Sequence, residues 1–109
     1  MYEKELEELE QYIMNNLSGK FVVKPWKKGS DGGGVTVYFE NGYAGDAVIN
    51  TASYGHDAGL YEIAVMQHTD YKDLCFAYTT HITDDVIGYL NLEQVNEYLA
   101  EIRDLPSKS

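Results

Sequence analysis

Val35-Thr36-Val37-Tyr38-Phe39-Glu40-Asn41-Gly42 is the stretch on which the fold turns. Val35, Val37 and Phe39 alternate with Thr36, Tyr38 and Glu40, the period of a strand with one buried face. Asn41-Gly42 follows at once and marks a tight hairpin, because both residue types tolerate positive φ. Ala44 to Asn50 returns as the antiparallel partner, with Gly45 a candidate bulge. Such a hairpin predicts a meander of sequential antiparallel strands.

Working outward, Phe21 to Lys24 reads as a short first strand broken at Pro25, which cannot donate to a ladder. Gly29 to Gly34 (GSDGGG) reads as a mobile hairpin loop. A phosphate-binding loop would need a helix after it, and here a strand follows. Thr51 to Gly59 is a long connection, and Leu60 to His68 and Leu74 to Thr80 form a second hairpin around Thr69 to Asp73. Leu6, Leu9, Ile13 and Leu17 recur at helical spacing over Tyr2 to Leu17, with Glu3, Glu7 and Glu10 towards the other face and Gly19 as the C-terminal cap.

At the other end, Thr83 to Leu90 reads as a short helix, with Thr83 capping and Asp84 and Asp85 in its first turn. Asn91 opens a second helix, and Gln94 three positions on completes a capping-box pattern. Leu92, Val95, Leu99 and Ile102 form its apolar stripe, and Pro106 follows its end. The predicted fold is one α+β domain over residues 1–109. It has an antiparallel sheet of about five strands, with an N-terminal helix and a C-terminal helical pair packed on one face. Val35, Val37 and Phe39 should share a core with the stripe from Leu92 to Ile102.

Eight Lys and Arg against eighteen Asp and Glu give a net charge of −10. That balance opposes direct contact with nucleic acid or an anionic membrane and favours basic protein surfaces. One cysteine, Cys75, rules out an intrachain disulfide and suits a reducing cytoplasm. No apolar run reaches the length of a membrane span, and the glutamate-rich N-terminus does not read as a secretory leader.

Catalytic and cofactor chemistry finds little support. His56, His68 and His81, with Asp57, Asp70 or Asp84, are the candidate metal ligands, but none stands at a recognised ligand spacing. No metal or organic cofactor is expected. Cys75 alternates with Leu74 and Phe76, so a buried, inert thiol is the expectation; no motif supports a catalytic pair with His81.

Two features remain as candidate partner-binding sites. Among ten tyrosines, Tyr38, Tyr61 and Tyr78 fall in three different strands. Either they form an aromatic patch on the open sheet face or they simply fill a half-buried sheet. Glu93, Glu97 and Glu101 stand at i, i+4 and i+8, a spacing that mildly destabilises a helix. Either this is a solvated face or its carboxylates stand in for nucleic-acid phosphates. Lys20, Lys24, Lys27 and Lys28 form a small basic island expected to pair with neighbouring glutamates.

Three stretches carry a resemblance: Asn41-Gly42-Tyr43; Ser53-Tyr54-Gly55 with Gly59-Leu60-Tyr61-Glu62-Ile63-Ala64-Val65; and Ile82-Thr83-Asp84-Asp85-Val86-Ile87-Gly88-Tyr89-Leu90. The chain resembles a group of small phage and prophage proteins with similar segments, over roughly residues 41–105. Tyr78-Thr79-Thr80-His81 departs from the "YDTP" of that group. The resemblance implies a phage-encoded protein working in the cytoplasm of a bacterial host, and it carries no functional residue.

The expected function is a non-enzymatic module that binds a bacterial protein with a basic surface, inhibiting a nucleic-acid-handling or defence machine. Two alternatives stand beside it. One is a small-ligand binder or enzyme using the loops at 51–59 and 81–85. The other is an oligomeric structural or accessory phage protein.

Overall fold

A computed structural model describes residues 1–78, 80–83 and 85–107 of the chain. The expectations that rest on Thr79, Asp84, Lys108 and Ser109 lie outside the described residues. The element order is α1 (Glu3–Asn16), β1 (Phe21–Lys27), β2 (Gly32–Phe39), β3 (Tyr43–Asn50), β4 (Tyr61–Thr69), β5 (Lys72–Phe76), β6 (Val86–Leu90) and α2 (Leu92–Arg103). A 3-10 turn at His56–Ala58 interrupts the long connection before β4.

The predicted α+β architecture holds: an N-terminal helix, a curled antiparallel sheet and a C-terminal helix. β1 to β4 form the expected meander. Beyond β4 the edge is shared. β5 pairs with its Met66–Thr69 end and β6 with its Tyr61–Ala64 end.

Both helices cover the same sheet face. Leu9 and Ile13 of α1 and Val95, Leu99 and Ile102 of α2 pack with Val35, Val37 and Phe39 of β2 in one buried cluster. The matching periods of two and 3.6 therefore meet as expected. Asn91 and Gln94 close a reciprocal capping box at the start of α2, with bonds of 2.8 and 2.9 Å.

The segment read as a helix over Thr83 to Leu90 is instead strand β6 beyond Asp85, so there is no C-terminal helical pair. Thr83 Oγ1 does accept the Asp85 N–H at 3.0 Å, but this is a two-residue turn bond and not a helix cap. Val86, Ile87 and Tyr89 suit a strand better than a helix, and β4 offers unpaired backbone beyond the end of β5.

β1 runs on through Pro25 to Lys27. It pairs only with β2, so Pro25 lies on an outer strand where a missing N–H can face solvent. The stretch read as a mobile loop is shorter than expected, because β2 begins at Gly32. The turn closes with Lys28 N–H donating to the Gly32 carbonyl at 2.8 Å and Asp31 N–H to the Lys28 carbonyl at 3.0 Å. Gly33 and Gly34 serve close approach: a Cβ on Gly34 would stand 2.6 Å from the Ala47 carbonyl oxygen and 2.8 Å from the Trp26 ring. Gly45 is no bulge, since the β2–β3 and β3–β4 registers run evenly through it. A Cβ there would run into Leu99 and lie 3.0 Å from Ile102.

Asn41 does more than turn the chain. Its Nδ2 donates to the carbonyls of Ile102, Arg103 and Leu105 at 2.8, 3.1 and 3.0 Å, and its Oδ1 accepts the Tyr43 N–H at 3.0 Å. The buried side chain thus satisfies carbonyls that the end of α2 leaves without helical partners. Gly42 alone takes positive φ in this turn.

The other sheet face curls over a smaller cluster of Tyr38, Ala44, Ala64 and Met66, joined by Tyr71, Leu74 and Val86. Lys24 of β1 donates to the Tyr71 carbonyl at 2.9 Å and lies 4.9 Å above the Tyr38 ring. In a flat sheet β1 and β4 would stand three strand spacings, about 14 Å, apart, so a lysine could not reach the turn after β4. Lys24 therefore records the curl, and the glutamate pairing expected of it does not form. Among the described residues the ion pairs are Met1 with Glu3 and Arg103 with Asp104.

Candidate interaction surfaces

On the curled face, Trp26 Nε1–H and Thr36 Oγ1–H both donate to one oxygen of Asp46, at 2.9 and 3.0 Å. Burial pushes the Asp46 carboxyl above its usual range, against those two bonds. A raised folded-state pKa means that the fold favours the protonated form. Its contribution is fully present below the unfolded value of about 3.9 and is lost as pH rises through the folded value. Asp46→Asn keeps the oxygen acceptor and removes the buried charge. The variant is expected to melt a few degrees higher than the parent at pH 7, with the gain vanishing below about pH 4. Thermal melts across that range check it. A gain that grew towards acid would reverse the assignment.

The helical layer is the acidic side of the molecule. α1 carries Glu3, Glu5, Glu7, Glu8 and Glu10, and α2 carries Glu93, Glu97 and Glu101, against Lys4 and Arg103 alone. The layer therefore holds −6 of the chain's −10. Glu93, Glu97 and Glu101 are all exposed. Because α1 and α2 touch, their charges act as one field, which the separate reading of α2 missed. Glu5, Glu8 and Glu93 line one groove together, with Tyr12 and Leu60.

The three tyrosines do not form one patch. Tyr38 is on the curled face and 6% exposed, packed against His68 and Tyr71. Burial, then the charge of Asp46, raises its pKa. Tyr61 lies on the helical side. It shares the parity of Ile63 and Val65, is 4% exposed, and donates its hydroxyl to the Glu5 carbonyl at 2.7 Å. Burial, then Glu8 and Glu5, pushes its pKa well above the usual tyrosine range. Tyr78 lies beyond the end of β5, exposed and stacked on Phe76 with centroids 5.7 Å apart.

A second exposed stack, Tyr54 on Tyr89 at 6.4 Å, joins the long connection to β6. Tyr89 takes positive φ, a conformation disfavoured for an aromatic residue, and donates its N–H to the Tyr54 carbonyl at 3.3 Å. Alternation places Phe76 and Tyr78 on one face, whereas nothing in it signals the Tyr54–Tyr89 stack.

No family model, curated protein or solved structure matches this chain.

Of the remaining candidates, His56, His68 and Cys75 have structural partners. His56 Nδ1 meets the Tyr2 hydroxyl at 2.7 Å, tying the start of α1 to the 3-10 turn. His68 bridges the Phe39 carbonyl at 2.8 Å and the Tyr71 N–H at 2.9 Å. His81 is exposed, and no group of three potential metal ligands converges among the described residues. Cys75, expected to be buried, is exposed on outer strand β5, its sulfur accepting from Gln67 Nε2 at 3.1 Å. No helix among the described residues is long and apolar enough to cross a membrane.

Proposed function

We propose that this protein is a non-enzymatic binding module of phage or prophage origin. It acts in a bacterial cytoplasm by laying its acidic helical layer on a basic protein surface. The partner is a nucleic-acid-handling or defence protein, and binding excludes nucleic acid from its basic groove. The observation that carries this reading is the joint layer of α1 and α2. Eight glutamates stand on it against two bases, and one of those bases, Arg103, is already bound to Asp104 at 2.9 Å. Uncompensated charge of one sign on a rigid face steers association and sets its dependence on salt.

The test is charge reversal at exposed positions. Glu93→Lys, Glu97→Lys and Glu101→Lys together take the net charge from −10 to −4. The fold should survive, because all three side chains are exposed. Affinity for a partner captured from bacterial lysate should fall about tenfold or more, mainly through a slower on-rate, and parent binding should weaken with salt. The exposed stacks favour a second reading, in which aromatic anchors make the contact. Tyr54→Ala, Tyr78→Ala and Tyr89→Ala together would then speed dissociation with little salt dependence. If charge reversal leaves binding intact and the aromatic variant abolishes it, the acidic layer is not the contact surface.

A further inference from the structure

We propose that the groove between α1 and β1 holds the side chain of an arginine or lysine from an extended basic segment of the partner. This inference rests on the reading of the acidic layer as the contact surface and names its anchor point. The groove encloses about 380 Å³, at the small end of ligand-binding clefts. Leu6, Pro25 and Val35 give it an apolar lining, and Glu7 and Glu10 stand on the α1 wall. An apolar cleft with carboxylates on one wall matches a long cationic side chain, which buries its methylene stem and leaves its charged head among acids. A planar guanidinium can in addition pair bidentately with a carboxylate.

The charges also say where the head group goes. Glu3 and Lys27 line the same groove. A hydrogen bond from the Met1 ammonium, and more weakly the charge of Lys27, hold the Glu3 carboxyl below its usual range. That end is already compensated. Glu7 and Glu10 have no ion-pair or hydrogen-bond partner among the described residues, so the incoming cation belongs at their end.

The experiment titrates the whole protein, by isothermal calorimetry, with a capped peptide of alternating arginine and leucine. Parallel titrations use the same peptide with each arginine replaced by citrulline, and spermidine. Binding heat should appear on adding the arginine peptide. The dissociation constant should rise about tenfold on citrulline replacement or in the Glu7→Gln, Glu10→Gln double variant. It should rise less than about twofold in Glu97→Gln, Glu101→Gln, which removes the same charge from α2.

Equal weakening by the two double variants would mean diffuse attraction to net charge and would overturn the groove. So would binding of the arginine peptide that leaves the methyl resonances of Leu6 and Val35 unmoved. Spermidine binding as tightly, with the same dependence on Glu7 and Glu10, would make the occupant a free polyamine and overturn the peptide assignment. None of these results touches the reading of α2, which stands or falls on reversal of Glu93, Glu97 and Glu101 against the captured partner. A thermal melt of each variant confirms that it is folded before titration.

Discussion

Leu99→Ala is expected to lower the stability of the fold by about 2–5 kcal/mol. Leu99 is fully buried, in the cluster where α2 meets β2, β3 and β4. Truncation removes apolar contact and leaves a cavity that the surrounding strands cannot close, because the sheet is held by its own ladders. The same site carries a second, opposite test. Gly45 lies directly beneath Leu99, and a methyl group there would collide with the leucine and crowd Ile102. Gly45→Ala alone should therefore cost about 1–3 kcal/mol through overpacking. In the double variant the new methyl enters the space that Leu99 vacates. Its total cost should be smaller than the sum of the two singles by about 1 kcal/mol or more. Urea denaturation followed by Trp26 fluorescence and circular dichroism measures all three. If Leu99→Ala leaves the midpoint unmoved, or the two changes simply add, α2 does not pack on β3 at Gly45.

Gly34→Ala is the second large effect, expected at about 1–3 kcal/mol or more. Its Cβ would face the Ala47 carbonyl oxygen at 2.6 Å and the Trp26 ring at 2.8 Å. The first obstacle is backbone of the neighbouring strand and cannot swing aside. The second is a ring whose Nε1–H is already committed to Asp46. Relieving either clash means opening the β1–β2 or β2–β3 ladder. Gly33→Ala should behave alike, since its Cβ would collide with the Trp26 carbonyl oxygen and lie 2.9 Å from Lys27 Cα. Gly29 is the control. It has open space around its Cβ position and φ of +56°, which asparagine tolerates, so Gly29→Asn should stay within about 0.5 kcal/mol of the parent. The indole N–H resonance of Trp26 should shift in Gly34→Ala and stay put in Gly29→Asn. Unchanged stability of both Gly33→Ala and Gly34→Ala would return the stretch to the loop that its composition suggests.

Those glycines show how far local pattern reaches. GSDGGG reads as a loop because glycine is rare inside strands, and the turn at residues 28–31 is real. That Gly33 and Gly34 belong to β2 depends on Trp26, seven or eight positions away, whose carbonyl and ring occupy the space where side chains would be. Tyr61 is legible from phase alone and fits the half-buried-sheet reading rather than the aromatic patch. It has the parity of Ile63 and Val65, so alternation alone places it on the core side, where it bonds the Glu5 carbonyl. Its match to Tyr38 was one of residue type and not of phase. Cys75 shows the converse: its neighbours alternate as in a buried strand, yet β5 has a partner on one side only.

By itself the sequence determined the two terminal helices, the Val35–Phe39 strand, the hairpin at Asn41-Gly42 and the capping box at Asn91 and Gln94. Each is written within a window of a few residues, where side-chain period and local hydrogen bonds decide. It also determined the net charge of −10, which no folding changes. Only the tertiary structure decided that Val86–Leu90 is a strand, because the deciding partner is the unpaired half of β4. Only it brought the glutamates of α1 beside those of α2, ninety residues away in the chain, and opened a groove between Glu7, Glu10 and Pro25. Secondary structure answers to neighbours in sequence, whereas an edge, a shared field and a cleft exist only once distant segments have met.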